Sequence, residues 1–301
     1  MSWLTLDQVS LFEIELSNYC NAKCPACARE VNTSSIDSNN LSLDQIKSLV
    51  EQLPDPTKVK FYFGGTSGDP LMNPNIVEIF EYVANSGVRL TVDTNGSLRS
   101  TAVWKQLGNI SKNANADITF SIDGLEDTNH LYRIDTNWKT IMRNLSTYLS
   151  AGGKADWKYL IFEHNKHQVE DARELARALG VTAFVSEPSS RVNTTLVPVN
   201  KTRKHNVTET PTSIYCRSLN TNYLYISSSF VLFPCCYFHA RQDQPADVQC
   251  DLNDMPLIDA IENVKYKQLV NSWQTDNCSA VCKIYCNQNK YWDKIVTLEK
   301  L

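Results

Sequence analysis

Six short apolar runs recur along residues 11–185, each followed by a stretch of helical periodicity, and this alternation restricts the fold more tightly than any other feature. The runs lie at 11–16, 59–63, 88–93, 117–122, 157–162 and 181–185, and their length and their β-branched and aromatic content predict strands. Between them, Leu43, Ile46, Leu49 and Val50 keep helical spacing, as do Ile76, Ile79, Phe80 and Val83, then Val103, Trp104 and Leu107. Ile141, Leu145 and Tyr148 follow, and Val169, Ala172, Ala176 and Leu179 end the series before Gly180. Ser42 with Gln45 predicts a capping box, and Asn73 with Pro74 predicts the cap and first turn of the second helix. Strands that alternate with helices must run parallel, joined by helical crossovers. Either a doubly wound sheet or a partial barrel satisfies that requirement.

The position of the chemically unusual residues separates the two. The cysteine loop 20–27, the stretch 64–69, the turn 93–96, Asp123 and the trio Glu163, His164 and Asn165 all follow successive strands at their carboxyl ends. A site assembled from many such loops on one rim is barrel behaviour. The expected fold class is therefore α/β, a partial (β/α)6 TIM-like barrel followed by a small cysteine-rich α+β hairpin domain.

Cys20, Cys24 and Cys27 stand at spacings of three and two intervening residues directly after the first strand. Three thiolates can take three irons of a [4Fe-4S] cube and leave the fourth without a protein ligand. Spacing alone leaves two other readings open: a structural zinc knuckle, for which a fourth ligand is wanted, and three unrelated thiols.

The triad in this position resembles the signature of radical S-adenosylmethionine (SAM) enzymes. The resemblance implies that SAM chelates the open iron, that the reduced cluster splits it, and that the resulting 5'-deoxyadenosyl radical takes hydrogen from a substrate. Cys20, Cys24 and Cys27 are then the catalytic cluster ligands. Gly64, Gly65 and Thr66 resemble the glycine-rich segment after the second strand of that family, whose backbone meets the SAM amino group. An acid often fills the third place there; this chain has Thr66, and its first acid is Asp69. Thr94 and Asn95 before Gly96 resemble the family's motif at the third strand end, Ser121 and Asp123 its fourth-strand segment, and Arg133 a clamp for the SAM carboxylate. Many members carry an aromatic residue just before the third cysteine, where Ala26 stands here. His164 is a candidate proton donor or substrate contact, weighed against an ordinary polar rim residue.

Residues 191–212 read as a connector between a core at 1–190 and a second region at 213–301. Strand-like runs at 223–226 and 230–233 form a hairpin that delivers Pro234, Cys235 and Cys236, with Cys216 before it and Cys278, Cys282 and Cys286 after it. This arrangement resembles the SPASM or Twitch extension of radical SAM enzymes, which implies an auxiliary iron-sulfur cluster. We expect one, taken as [4Fe-4S], with ligands Cys216, Cys235, either Cys278 or Cys282, and Cys286, and with Cys236 and Cys250 as spares. Zinc remains the alternative for these thiols. A helix-like tract at 291–301 is expected to pack the tail down.

Composition excludes little but points one way. With 29 basic and 33 acidic residues there is no basic block for a nucleic-acid polyanion, and no run approaches the length of a membrane span. Ten clustered cysteines without a visible export signal suggest metal binding in a reducing cytoplasm. The expected partners are SAM, a peptide or small-molecule substrate, and an external electron donor such as flavodoxin or ferredoxin. The first strand begins near residue 11, so a peptide substrate is expected to use direct rim contacts or a partner protein. The competing reading is a non-catalytic iron-sulfur or zinc electron-transfer module on the same fold.

Overall fold

The computed structural model describes residues 2–31, 39–189, 214–240, 248–286 and 297–301. Six strands, β1 (Leu11–Glu15), β2 (Lys60–Gly64), β3 (Arg89–Thr94), β4 (Ala116–Ser121), β5 (Ala155–Ile161) and β6 (Ala183–Pro188), pair in parallel in sequence order. The long crossover helices are Leu43–Glu51, Ile76–Asn85, Thr101–Lys112, Trp138–Ser150 and Val169–Leu179. The capping box at the first is present: Gln45 N donates to Ser42 Oγ at 3.2 Å, and Ser42 N donates to Gln45 Oε1 at 2.9 Å. Gly180 ends the last in a left-handed conformation.

The second helix departs from expectation by starting at Ile76, not at the Asn73–Pro74 pair. Asn73 is fully buried instead, and its amide donates to the carbonyls of Leu16 at 2.9 Å and Leu41 at 2.8 Å. Tying two chain segments satisfies backbone acceptors that water cannot reach.

Beyond the core, β7 (Tyr223–Ile226) and β8 (Val231–Phe233) form the expected hairpin, and β9 (Cys250–Asp251) adds to β8. Unexpectedly, β7 lies parallel to β1, with Glu13 opposite Tyr225, so the hairpin prolongs the barrel sheet. The connector 191–212 lies outside the described residues, as do residues 291–296 of the expected terminal helix. The rest of that tract is a strand, β10 (Thr297–Lys300), antiparallel to β6. The open edge of β6 offers unpaired backbone groups that a helix could not use. Glu299 anchors the strand through Arg173 at 3.0 Å and Arg177 at 2.9 Å. The complete sheet runs β10-β6-β5-β4-β3-β2-β1-β7-β8-β9. Among the described residues, no helix is long and apolar enough to cross a membrane.

Register fixes which side chains share a face. Phe12, Phe61, Leu90 and Ala116 lie level with one another, and Ile14, Phe63 and Val92 with Ile118; all are buried. The other face carries Glu13 opposite Tyr62, then Thr91 and Asp117, with Asp93 opposite Thr119 and Ser121 opposite Lys158. Strands of fully covered parallel sheets read apolar throughout. Here the period of two leaves the inner face polar and ready to line a cavity.

Under the rim, Ala22, Cys24, Tyr132, Leu160 and Phe162 form a second small core. His164 stacks on Phe162, with centroids 5.4 Å apart, and both of its ring nitrogens are buried without a hydrogen-bond partner. Burial holds its pKa below the ordinary value of 6.5, against a partial pull from Asp123. A depressed folded pKa means that the unfolded chain takes up the proton first, so the contribution is complete above pH 6.5 and is lost as the pH falls. We predict that the urea midpoint drops further for the native sequence than for His164→Phe between about pH 8 and about pH 5. Equal drops in denaturation monitored by circular dichroism would contradict it.

Candidate active site

The loop after β1 presents three thiols, and each meets a different rim segment. Asn95 Nδ2, after β3, lies 3.8 Å from Cys20 Sγ; Arg133 Nη1, after β4, lies 3.8 Å from Cys24 Sγ; and Cys27 Sγ lies 3.8 Å from the Thr66 carbonyl, after β2. Within the loop, Ala22 N donates to Cys20 Sγ at 3.4 Å and Cys27 N to Cys24 O at 2.9 Å. Burial, with Asp69 and the two other thiols nearby, pushes the Cys20 pKa up to about 12.

The segment after β2 passes close to β1. At Gly65, with φ of 150°, a Cβ would sit 3.0 Å from Glu15 Cγ and 3.1 Å from its Oε1, and at Gly68 a Cβ would overlap the Ser17 carbonyl at 1.7 Å. Side chains are excluded there, which leaves bare backbone facing the cavity. Asp69 is buried and accepts from Leu71 N at 2.9 Å, Asn95 N at 2.9 Å and Thr94 Oγ1 at 2.9 Å. It thereby locks the β2 loop to the β3 turn. Burial still raises its pKa, although those donors pull the other way.

Arg133, at the cavity wall, forms an ion pair with the fully buried Asp123 at 2.6 Å. The second oxygen of Asp123 accepts from Leu160 N at 2.7 Å, and Asn129 Oδ1 accepts from Asp123 N at 2.9 Å. Burial opposes the Arg133 charge, but Asp123 and Cys24 outweigh it and raise the pKa above its usual value. A guanidinium so fixed stays charged and points at one place.

These groups surround one cavity of about 380 Å³. Cys20, Cys24, Cys27, Gly64, Gly65, Thr66, Asp69, Thr94, Asn95, Ser121 and Arg133 all line it. Asp123 does not; it stands behind Arg133, fully buried. His164 is likewise absent from the lining. Glu13, Tyr62, Lys158 and Tyr237, which no motif marked, line the same space, as do Asp93 of the 93–96 turn and Cys236, expected only as a spare thiol. Tyr62 donates to Asp93 Oδ2 at 2.5 Å and Tyr223 to Glu13 Oε2 at 2.7 Å. Burial raises the pKa of Glu13. Period-two spacing from Glu15 and Gly64 was the available signal for Glu13 and Tyr62; Cys236 depends on β7 pairing with β1, which no local pattern encodes.

A second set of thiols lies in the extension. Cys216, Cys235, Cys282 and Cys286 line a closed apolar pocket of about 10 Å³, walled by Trp3, Phe238 and Trp273. Burial pushes the Cys286 pKa up to about 12, helped by Cys216 nearby, and lifts Cys235 well above its ordinary value, helped by Cys236, Cys286, Cys282 and Cys216. Cys278 is within electrostatic reach of Cys282 and Cys286 but does not line the pocket. Cys250 is buried on β9. Among the described residues, no three His, Cys, Asp or Glu side chains gather around a single metal ion. A lone zinc draws its ligands to one point, about 2.3 Å from each sulfur, whereas a cube spreads its thiolates over separate irons. Cys20, Cys24 and Cys27 all line one cavity, and three thiolates that leave a further metal site open are the donor set a cube takes.

Residues 14–179 match the Radical SAM superfamily model, more than half of the chain. The AdoMet-dependent heme synthase of Methanosarcina barkeri (strain Fusaro / DSM 804) is 25% identical over 172 residues, 56% of this chain and 48% of that protein. Mycofactocin maturase MftC of Mycobacterium ulcerans (strain Agy99) is 28% identical over 182 residues, 59% of this chain and 47% of that protein. The chain thus spans about half the length of these curated relatives. Streptococcus suis SuiB bound to its precursor peptide SuiA shares the fold, with a TM-score of 0.67 at 14% identity over 93% of this chain and 71% of that one. By the family match and by its partial-barrel fold, the chain belongs to the radical SAM superfamily, with a C-terminal extension beyond the family core.

Proposed function

We propose that this chain reductively cleaves SAM and uses the product to oxidise or remodel a polar substrate, as a radical SAM oxidoreductase or maturase. The observation that carries the reading is the cavity in which each thiol of the triad meets a different rim loop. Cys20, Cys24 and Cys27 would hold the [4Fe-4S] cluster, which with SAM supplies a carbon-centred radical able to remove hydrogen from a substrate. Bare backbone at Gly64 and Gly65, with Thr66, offers carbonyls to the SAM amino group. Arg133, held by Asp123, offers a fixed cation for its carboxylate. Thr94, Asn95 and Ser121 supply hydrogen-bonding groups around the same space, and Asp69 keeps the β2 and β3 loops together. N–H donors near thiolate sulfur, here from Asn95 and Arg133, tune a cluster bound at those sulfurs.

The extension would hold one auxiliary cluster through Cys216, Cys235, Cys282 and Cys286, with Cys278 beside them. The apolar walls suit a cluster shielded from water, and the pocket must widen to admit one, because its volume accommodates about one water. Substrate is placed against Glu13, Tyr62, Asp93, Lys158, Cys236 and Tyr237, whose mixed charges favour a hydrogen-bonding peptide or small polar molecule. SuiB is named as binding a precursor peptide, and a peptide is within the range proposed here. A small external donor such as flavodoxin or ferredoxin would supply the electron.

Two measurements on anaerobically reconstituted protein test this. Cys24→Ala is expected to abolish 5'-deoxyadenosine formation from SAM under dithionite, assayed by chromatography; retention of the native rate would refute the assignment. Cys282→Ala is expected to lower bound iron by about four atoms per chain, while Cys250→Ala leaves it unchanged. Full iron content in Cys282→Ala would remove the auxiliary cluster from these ligands.

A further inference from the structure

We propose that the extension holds the glycine loop of the SAM site in place through His239 and Glu15. The inference rests on the reading that residues 64–68 face SAM. Glu15 is fully buried at the end of β1, and each of its oxygens faces a different part of the chain. Oε1 accepts from Ser67 N at 2.7 Å, inside the glycine loop. Oε2 lies 3.1 Å from His239 Nε2 and 3.4 Å from Ser228 Oγ, both in the extension. Gly65 packs directly on the same side chain, at 3.0 Å from Cγ to the place where a Cβ would stand. The loop therefore rests on a carboxylate whose orientation is set from the extension, on the same face of the sheet.

The His239 ring is itself fixed. It stacks on Tyr225 of β7, with centroids 5.1 Å apart, and meets Phe233 of β8 edge-on at 5.2 Å. It belongs to the helix Cys236–Ala240, which starts one residue after Cys235. Withdrawing the imidazole leaves a fully buried carboxylate short of one donor, and a buried acceptor stripped of a partner reorients or draws in water. Either response shifts the Ser67 N–H and the loop with it. His239 and Glu15 are thus positioning residues, since neither lines the cavity.

The ring has two separable roles, packing on Tyr225 and hydrogen bonding to Glu15, and two substitutions tell them apart in the intact, reconstituted chain. His239→Phe keeps the stack and loses the bond; His239→Gln keeps a donor and loses the stack. We expect His239→Phe to weaken SAM binding about tenfold, the size of one hydrogen bond to a carboxylate. Bound iron should be unchanged, KM for SAM should rise in step, and kcat should hold at saturating SAM. His239→Gln should bind within about threefold of the native protein. Equilibrium dialysis with labelled SAM reads the affinity, and iron analysis reads the clusters. Native affinity in His239→Phe, or weaker binding in His239→Gln than in His239→Phe, overturns the inference while the functional reading stands. Failure of the native protein to bind SAM overturns both.

Discussion

Parallel register is the constraint from which the rest of the molecule follows. Because β1 to β6 all run the same way, their carboxyl ends meet on one rim, and the four loops after β1 to β4 reach one cavity. The same register sorts each strand into an apolar set under the helices and a polar set facing inward. Apolar burial under the crossover helices, worth about 1.5–3 kcal/mol for each large side chain, holds the barrel wall. The inner face is then released from carrying the core and can hold Glu13, Tyr62, Asp93 and Lys158.

Around the rim, three buried carboxylates bind loops to one another. Asp69 joins the β2 loop to the β3 turn, Asp123 joins Arg133 to β5, and Glu15 joins the glycine loop to the extension. Buried carboxylates are expensive unless they are fully hydrogen-bonded. Here each accepts hydrogen bonds from two segments, which offset the cost of burial and tie those segments together. The extension takes part in this, because β7 continues the sheet from β1 and β8, paired to it, delivers Cys236 to the central cavity and Cys235 to the apolar pocket.

Local signals carried most of the fold. The six strands, the helical faces, the Ser42–Gln45 box, the Gly180 stop and the hairpin at 223–233 all depend on residues within a few positions of one another. Long-range pairing is where reading from sequence failed. Residues 297–300 form a strand because β6 has an open edge, Asn73 is a strut because two distant carbonyls need a donor, and β7 pairs with β1 across more than two hundred residues of chain. In the candidate site, motif residues gathered as a set because each sits at a strand end. Asp123 and His164 carry the same local signature, yet one stands behind Arg133 and the other packs on Phe162. Only the direction of the side chain distinguishes lining from support, and one sequence does not encode it locally.

The central proposal is an iron left open to SAM at the Cys20, Cys24 and Cys27 triad. Electron paramagnetic resonance of the reduced, anaerobically reconstituted protein, recorded with and without SAM, tests it most directly. SAM is expected to change the g-values of the signal that Cys20→Ala removes, because SAM would ligate that cluster. A spectrum that is the same in both samples, from protein shown to carry its full iron, would contradict it.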